Sequence, residues 1–183
     1  GFAKVGVTTA LINTNLTGQA LAHSIAIANT SQVVADDDCW RKVEAARPLR
    51  DRHLMLWVLG LSDAEETSDR RDLDKPVRSA STVRPPRNLR DGLTNRSTAL
   101  LIYTSGTTGL PKAARVTHAR ARTYMRAFAG CTGATEKDVT FNVLPLYHST
   151  GGLVGIGPAL LNGGRLVLRK KFSSTTFWTD VKS

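Results

Sequence analysis

Residues 103–112 read YTSGTTGLPK, in which two glycines stand among serine and threonine residues and a lysine closes the segment. Gly106 and Gly109 let the backbone approach an anion closely and turn its N–H groups toward it, and Lys112 adds a point charge. Hydroxyl donors come from Thr104, Ser105, Thr107 and Thr108. These residue types at this spacing predict a loop that binds phosphate groups.

Two well-known nucleotide loops do not fit this segment. The P-loop of nucleoside triphosphatases needs four residues between its glycines and then Gly-Lys-Ser/Thr, whereas only Thr107 and Thr108 separate the glycines here and Ala113 follows Lys112. The GTTG stretch also supplies only half of the dinucleotide-binding pattern GxGxxG. A plain Gly/Thr turn between a strand and a helix has the same composition, so the residues alone leave both the phosphate loop and the plain turn open.

A second segment carries further candidate chemistry, since residues 144–152 read LPLYHSTGG. In this order, YTSGTTGLPK and LPLYHSTGG resemble the phosphate-binding signature and the next motif of the adenylate-forming (AMP-binding) superfamily, which includes acyl-CoA synthetases, luciferases and peptide-synthetase adenylation domains. The stretches GVTTALINTNLTGQAL, PKAA and VLRKKFSSTTFW are most similar to its very-long-chain acyl-CoA synthetase and fatty-acid transport protein branch.

The resemblance implies ATP-dependent activation of a long- or very-long-chain fatty acid, first to acyl-adenylate and then to acyl-CoA, with ATP, Mg²⁺ and coenzyme A. It implies catalytic roles for Lys112 and His148, with His148 near the acyl carboxylate and phosphate. It also implies that the β- and γ-phosphates of ATP are contacted by the residues of the first motif, which are Thr104, Ser105, Gly106, Thr107, Thr108, Gly109 and Lys112. A histidine whose ring is satisfied locally is the alternative for His148. A lipid-binding or fatty-acid transport protein without ligase activity is the alternative function.

Members of this superfamily are much longer than 183 residues. The chain opens on Gly1 rather than methionine and lacks the later family motifs, among them the magnesium-binding glutamate and the C-terminal lysine of the adenylation step. The resemblance therefore implies that residues 1–183 are an internal piece of an N-terminal adenylation domain without the C-terminal domain. Alone, this piece is expected to be inactive.

The distribution of charge and the cysteine content argue against a nucleic-acid-binding protein and against a zinc protein. The 25 basic residues, which give a net charge of +10, are scattered, and no aromatic platform for nucleic-acid bases accompanies them. Cys39 and Cys131 have neither CxxC spacing nor histidine companions, which argues against a zinc site and for reduced thiols. No apolar stretch reaches 18 residues. We expect no nucleic-acid partner and no bound metal of the chain's own, and a cytoplasmic location with peripheral membrane association.

The elements that must position both motifs alternate along the chain. Apolar, β-branched runs predict strands at 7–12, 33–35, 55–59, 99–103, 139–144 and 165–169. Helices are predicted at 19–28, 41–47, 118–128 and 151–161, and residues 61–98 are predicted to be mostly loop. Thr117 is predicted to cap the third of these helices and Gly130 to end it. This alternation predicts an α/β fold with parallel or mixed sheets flanked by helices, as the resemblance to a partial N-terminal adenylation domain also implies. Ligand loops lie at strand ends in such folds, where both motifs fall.

Overall fold

A computed structural model describes residues 1–46, 54–104 and 109–182 of the chain. The chain divides into two compact units. The first unit comprises Gly1–Leu11, Arg90–Tyr103 and Ala114–Ser183. The second unit comprises Ile12–Leu89 and Thr104–Ala113.

Strands and helices alternate in the order expected of an α/β fold. The strands are β1 (Thr9–Leu11), β2 (Gln32–Ala35), β3 (Met55–Val58), β4 (Arg70–Asp72), β5 (Thr98–Thr104), β6 (Lys112–Thr117), β7 (Val139–Asn142) and β8 (Arg165–Leu168). The helices are α1 (Gly18–Ala28), α2 (Asp37–Ala45), α3 (Asp74–Ser79), α4 (His118–Thr132), α5 (Gly157–Asn162) and α6 (Phe177–Lys182), with a π-helical turn at Thr150–Val154.

The strands form three small sheets, with the orders β1-β5-β6, β2-β3-β4 and β7-β8. The pairs β1–β5, β2–β3, β3–β4 and β7–β8 are all parallel. Parallel neighbours need a crossover between them, and helices supply it between β2 and β3 and between β7 and β8. The predicted α/β class, with parallel or mixed sheets flanked by helices, is confirmed.

The core of the second unit is built around β3, where alternate residues point inward. Leu56 and Val58 are fully buried, and helices α1 and α2 cover them with Leu21, Ile25 and Trp40. A parallel strand buried in this way needs apolar side chains, and the apolar run MLWV therefore predicted a strand correctly.

Trp40 packs between two guanidinium groups at the edge of this core. The Cζ atoms of Arg41 and Arg70 lie 4.3 and 4.5 Å from the centre of its rings. Arg70 also forms a 2.7 Å ion pair with Glu44, and the Trp40 Nε1–H donates to Asp37 at 3.1 Å. The indole is therefore held by cation–π contacts and a hydrogen bond as well as by packing.

The core of the first unit lies where α4 packs on the sheet. Ile102, Val116 and Leu153 are buried there, with Tyr124 and Met125 of α4 against them. The hydroxyl of Thr117 accepts a hydrogen bond from the backbone N–H of Arg120 at 3.2 Å, so the predicted helix cap is confirmed. The helix continues beyond the predicted end at 128 and stops at Gly133, whose φ of 61° is left-handed.

Two predictions about elements were wrong in part, and some elements were not predicted. The stretch 61–98 is mostly loop, as predicted, but it also contains β4 and α3. Strand β6 was not predicted, and the helix predicted at 151–161 is a π-helical turn followed by α5. The helix predicted from residue 41 begins at Asp37, because the Asp36 carboxylate caps it by accepting the Cys39 N–H at 3.0 Å.

Candidate functional site

The first motif joins two strands that are neighbours in one sheet. Strand β5 ends at Thr104 and strand β6 begins at Lys112, and both side chains are exposed. Tyr103, just before them, is buried, and burial raises the pKa of its hydroxyl. The structure thus places Thr104 and Lys112 at the two ends of the loop. The other predicted phosphate-binding residues before Gly109, which are Ser105, Gly106, Thr107 and Thr108, lie outside the described residues.

Gly109 has a backbone conformation that explains why a glycine is found there. Its φ is 91°, which residues with a side chain rarely adopt. A Cβ added at this position would meet no described atom within 4 Å. The need for glycine therefore comes from the turn itself and not from crowding by any described residue.

Helix α1 contributes a contact to this loop that the sequence did not reveal. The His23 Nε2 lies 3.1 Å from the carbonyl oxygen of Pro111, and because a carbonyl only accepts, the ring donates. This hydrogen bond fixes the loop immediately before Lys112. No motif surrounds His23 in the sequence, so no local signal could have predicted the contact.

The electrostatic environment of Lys112 fits an anionic ligand. Within residues 1–46, 54–104 and 109–182, no carboxylate forms an ion pair with its ammonium group. By contrast, Lys75 of the same unit is paired with Asp63 at 2.6 Å, which raises the pKa of the lysine. An exposed ammonium group at a strand end, three residues after a left-handed glycine, is suited to contact phosphate oxygens.

The second motif follows β7 in the first unit, so the structure places His148 in a different unit from Lys112. The backbone N–H of His148 donates to the Pro145 carbonyl at 3.1 Å, and its carbonyl accepts from the Gly152 N–H at 2.7 Å. Its exposed ring lies 4.7 Å from the ring of Tyr147, measured between centroids. The backbone is thus held on both sides while the imidazole faces solvent.

The glycines of this motif are explained by close backbone packing. A Cβ on Gly151 would collide with the carbonyl oxygen of Pro145, and one on Gly152 would collide with that of Leu146. Both glycines lie in the π-helical turn Thr150–Val154. Such turns are rare and often occur at functional sites.

The described part of the chain contains neither a metal-binding cluster nor a membrane-spanning helix. Among the described residues, no three His, Cys, Asp or Glu side chains converge in a way that could hold a metal ion. None of the helices in the described ranges combines the length and the apolar character needed to cross a bilayer.

The chain is similar to curated fatty-acid transport proteins along its whole length. It is 40% identical over 183 residues to long-chain fatty acid transport protein 5 of Homo sapiens, covering 100% of this chain and 26% of the relative. It is 36% identical over 185 residues to long-chain fatty acid transport protein 6 of Mus musculus, covering 100% of this chain and 29% of that protein. The chain thus spans between a quarter and a third of the length of these relatives.

Solved structures show the same fold. The N-terminal domain of FACL13 from Mycobacterium tuberculosis has a TM-score of 0.76 at 18% identity, over 96% of this chain and 41% of that one. A malonyl-CoA ligase in a ternary product complex with methylmalonyl-CoA and AMP has a TM-score of 0.68 at 25% identity, over 99% of this chain and 34% of that one. The family model described as AMP-binding enzyme matches residues 1–183. The chain therefore belongs to the AMP-binding, adenylate-forming enzyme family, as its two motifs had indicated.

Proposed function

We propose that the protein carrying this chain activates a long- or very-long-chain fatty acid with ATP, first to an acyl-adenylate and then to acyl-CoA. The observation that carries the proposal is the 40% identity over all 183 residues to a long-chain fatty acid transport protein, within a family of AMP-binding enzymes. The exposed Lys112 at the end of the glycine-rich loop supports it, because this side chain is available to an anionic substrate.

The reaction proceeds in two displacements. The fatty carboxylate attacks the α-phosphorus of ATP and pyrophosphate leaves, and then the sulfur of coenzyme A attacks the acyl carbon and AMP leaves. The malonyl-CoA ligase with methylmalonyl-CoA and AMP bound holds products of this type. That ligase therefore supports the thioester step as well as the nucleotide.

Donors aimed at the phosphate oxygens would lower the barrier of the first displacement, because charge passes to the leaving pyrophosphate. We assign this role to Lys112, Thr104, the backbone of Gly109 and the hydroxyls and amides of residues 105–108. His148 would stabilise charge near the acyl carboxylate. Mg²⁺ would arrive with the phosphates of ATP, and we assign it no ligand from this chain.

Lys112→Ala in the protein that carries this chain tests the phosphate assignment. We expect fatty-acid-dependent ATP–pyrophosphate exchange to fall by about 10²-fold or more, as when a preorganised donor to developing charge is removed. Lys75→Ala is the matched control, since it removes an exposed lysine of the same unit whose ammonium group is already paired with Asp63. Exchange that survives Lys112→Ala unchanged would contradict the assignment.

A lipid-binding or transport protein without ligase activity is the second candidate, favoured because the relatives are named as long-chain fatty acid transport proteins. It predicts fatty-acid binding that is independent of ATP and no fatty-acid-dependent exchange. Residues 1–183 produced alone should form little or no acyl-CoA.

We further propose a cytoplasmic protein that associates peripherally with the membrane, because its substrate partitions into lipid. Sedimentation with anionic vesicles tests this association.

A further inference from the structure

Asn142, the last residue of β7, is one of the few buried polar residues of the described chain, with 4% of its surface exposed. Both halves of its amide are used. The Nδ2 donates to the carbonyl oxygen of Gly151 at 3.0 Å, and the Oδ1 accepts the backbone N–H of Leu144 at 3.0 Å. One side chain therefore holds both ends of the segment that contains His148.

The backbone of Asn142 is itself fixed by the sheet. It pairs with Leu168 in the parallel register of β7 and β8, and its carbonyl oxygen accepts the Arg169 N–H at 3.1 Å. The amide thus connects a rigid element to residues 143–148, which form neither strand nor helix. Supporting contacts of this kind set the geometry of a site more firmly than the loop alone could.

We propose that Asn142 is a positioning residue for His148 in the adenylation step, an inference that rests on the function proposed above. Two hydrogen bonds from Asn142 fix residues 144 and 151, and the backbone bonds of His148 to Pro145 and Gly152 fix the residues between them. The imidazole is exposed, and its ring lies against that of Tyr147. Its position therefore depends on the backbone that carries it.

A substitution at Gly155 can displace the same amide without changing Asn142 itself. A Cβ there would lie 3.0 Å from the Cγ and Nδ2 atoms of Asn142. The φ and ψ of Gly155, −68° and −30°, are ordinary helical values that alanine adopts without strain. Gly155→Ala should therefore push the amide by a few tenths of an ångström while leaving all other residues in place.

A purely structural role for Asn142 makes a different prediction. Loss of a buried amide leaves polar groups unsatisfied and lowers stability, but the folded molecules that remain would turn over normally. A positioning role lowers kcat in the folded protein and leaves KM for ATP unchanged, because misplacing a reacting group by about 1 Å can cost up to 10²-fold in rate. The split between kcat and KM separates the two roles.

The test is a double-mutant cycle in the protein that carries this chain, measured as fatty-acid-dependent ATP–pyrophosphate exchange. We expect Asn142→Leu to lower kcat by about 10- to 100-fold in the native background and by less than about twofold when His148→Ala is already present. Asn162→Leu is the matched control, since it removes a hydrogen bond to the Ala134 carbonyl in the same unit and should change stability only.

The outcomes are distinguishable. If His148→Ala leaves the exchange unchanged, the role proposed for His148 is wrong and this inference is overturned with it, while the Lys112 result still decides the ATP-dependent function. If His148→Ala lowers kcat but Asn142→Leu lowers it by the same factor with and without His148, only the positioning role is overturned. Should Asn142→Leu fail to fold, the same cycle is run with Gly155→Ala, for which a smaller loss of kcat and the same dependence on His148 are expected.

Discussion

Replacement of Gly109 by alanine should weaken ATP binding selectively. Gly109 has a φ of 91°, and a residue with a Cβ pays roughly 1–2 kcal/mol to adopt a left-handed backbone. Among the described residues no atom lies within 4 Å of the added Cβ, so the expected effect is worked from backbone strain. A penalty of this size lowers the population of the binding conformation by about 5- to 30-fold.

We therefore expect KM for ATP in the ATP–pyrophosphate exchange assay to rise about 5- to 30-fold in Gly109→Ala. Gly109→Asn should lose less, because asparagine tolerates the left-handed region better than alanine. Gly60→Ala is the matched control: it lies in the same unit with a φ of 81° and open space around its Cβ. Its strain falls on the turn after β3, where the Gly60 N–H donates to Asp74 at 2.7 Å.

The control variant should lower the melting temperature and leave KM for ATP unchanged. Two results would refute the reasoning. One is a KM for ATP in Gly109→Ala within about twofold of the native value, since even the smaller strain predicts more. The other is an equal rise in Gly60→Ala, which would mean that general destabilisation and not loop geometry governs ATP binding.

Three further predictions concern the fold. Leu56→Ala empties a fully buried position and should lower the free energy of unfolding by about 2–5 kcal/mol in urea; a loss below about 1 kcal/mol would contradict the core described here. Burial, with Asp36 beside it, raises the pKa of the Cys39 thiol to about 11, so iodoacetamide at neutral pH should modify the exposed Cys131 first, as mass spectrometry can show; equal rates would count against it. Hydrogen bonds from Thr135 hold the pKa of Asp138 below its ordinary 3.8, so the carboxylate adds stability above that value that is lost as the pH falls through the lower folded-state pKa. Asp138→Asn should therefore reduce the drop in melting temperature below pH 3.8, and an unaltered acid profile would be the contrary result.

Strands and helices with a strong local signal could be predicted from the sequence. The run around Leu56 and the cap at Thr117 were located correctly, because each depends on residues a few positions apart. The end of α4 was placed too early because Gly130 and Gly133 compete as stop signals. Only Gly133 has the left-handed backbone, a choice that the sequence does not encode locally.

Strands stabilised by distant partners escaped prediction. Strand β4 has the sequence RRD and is stabilised by pairing with β3. Arg70 adds an ion pair with Glu44 and a hydrogen bond that its Nε donates to the carbonyl oxygen of Glu65. Charged residues of this kind read as loop in isolation. The residue types of the phosphate loop predicted its chemistry, but the His23–Pro111 hydrogen bond joins residues 88 positions apart and required the fold.

The packing of Trp40 between two arginines gives the second unit a built-in optical reporter. Trp40 is buried and Trp57 of β3 is half-buried in that unit, whereas Trp178 of the first unit is 68% exposed. An indole emits at longer wavelength when it moves from an apolar environment into water. The red shift of intrinsic fluorescence on unfolding should therefore come mainly from the unit that carries Lys112, and Trp178→Phe should leave most of it intact.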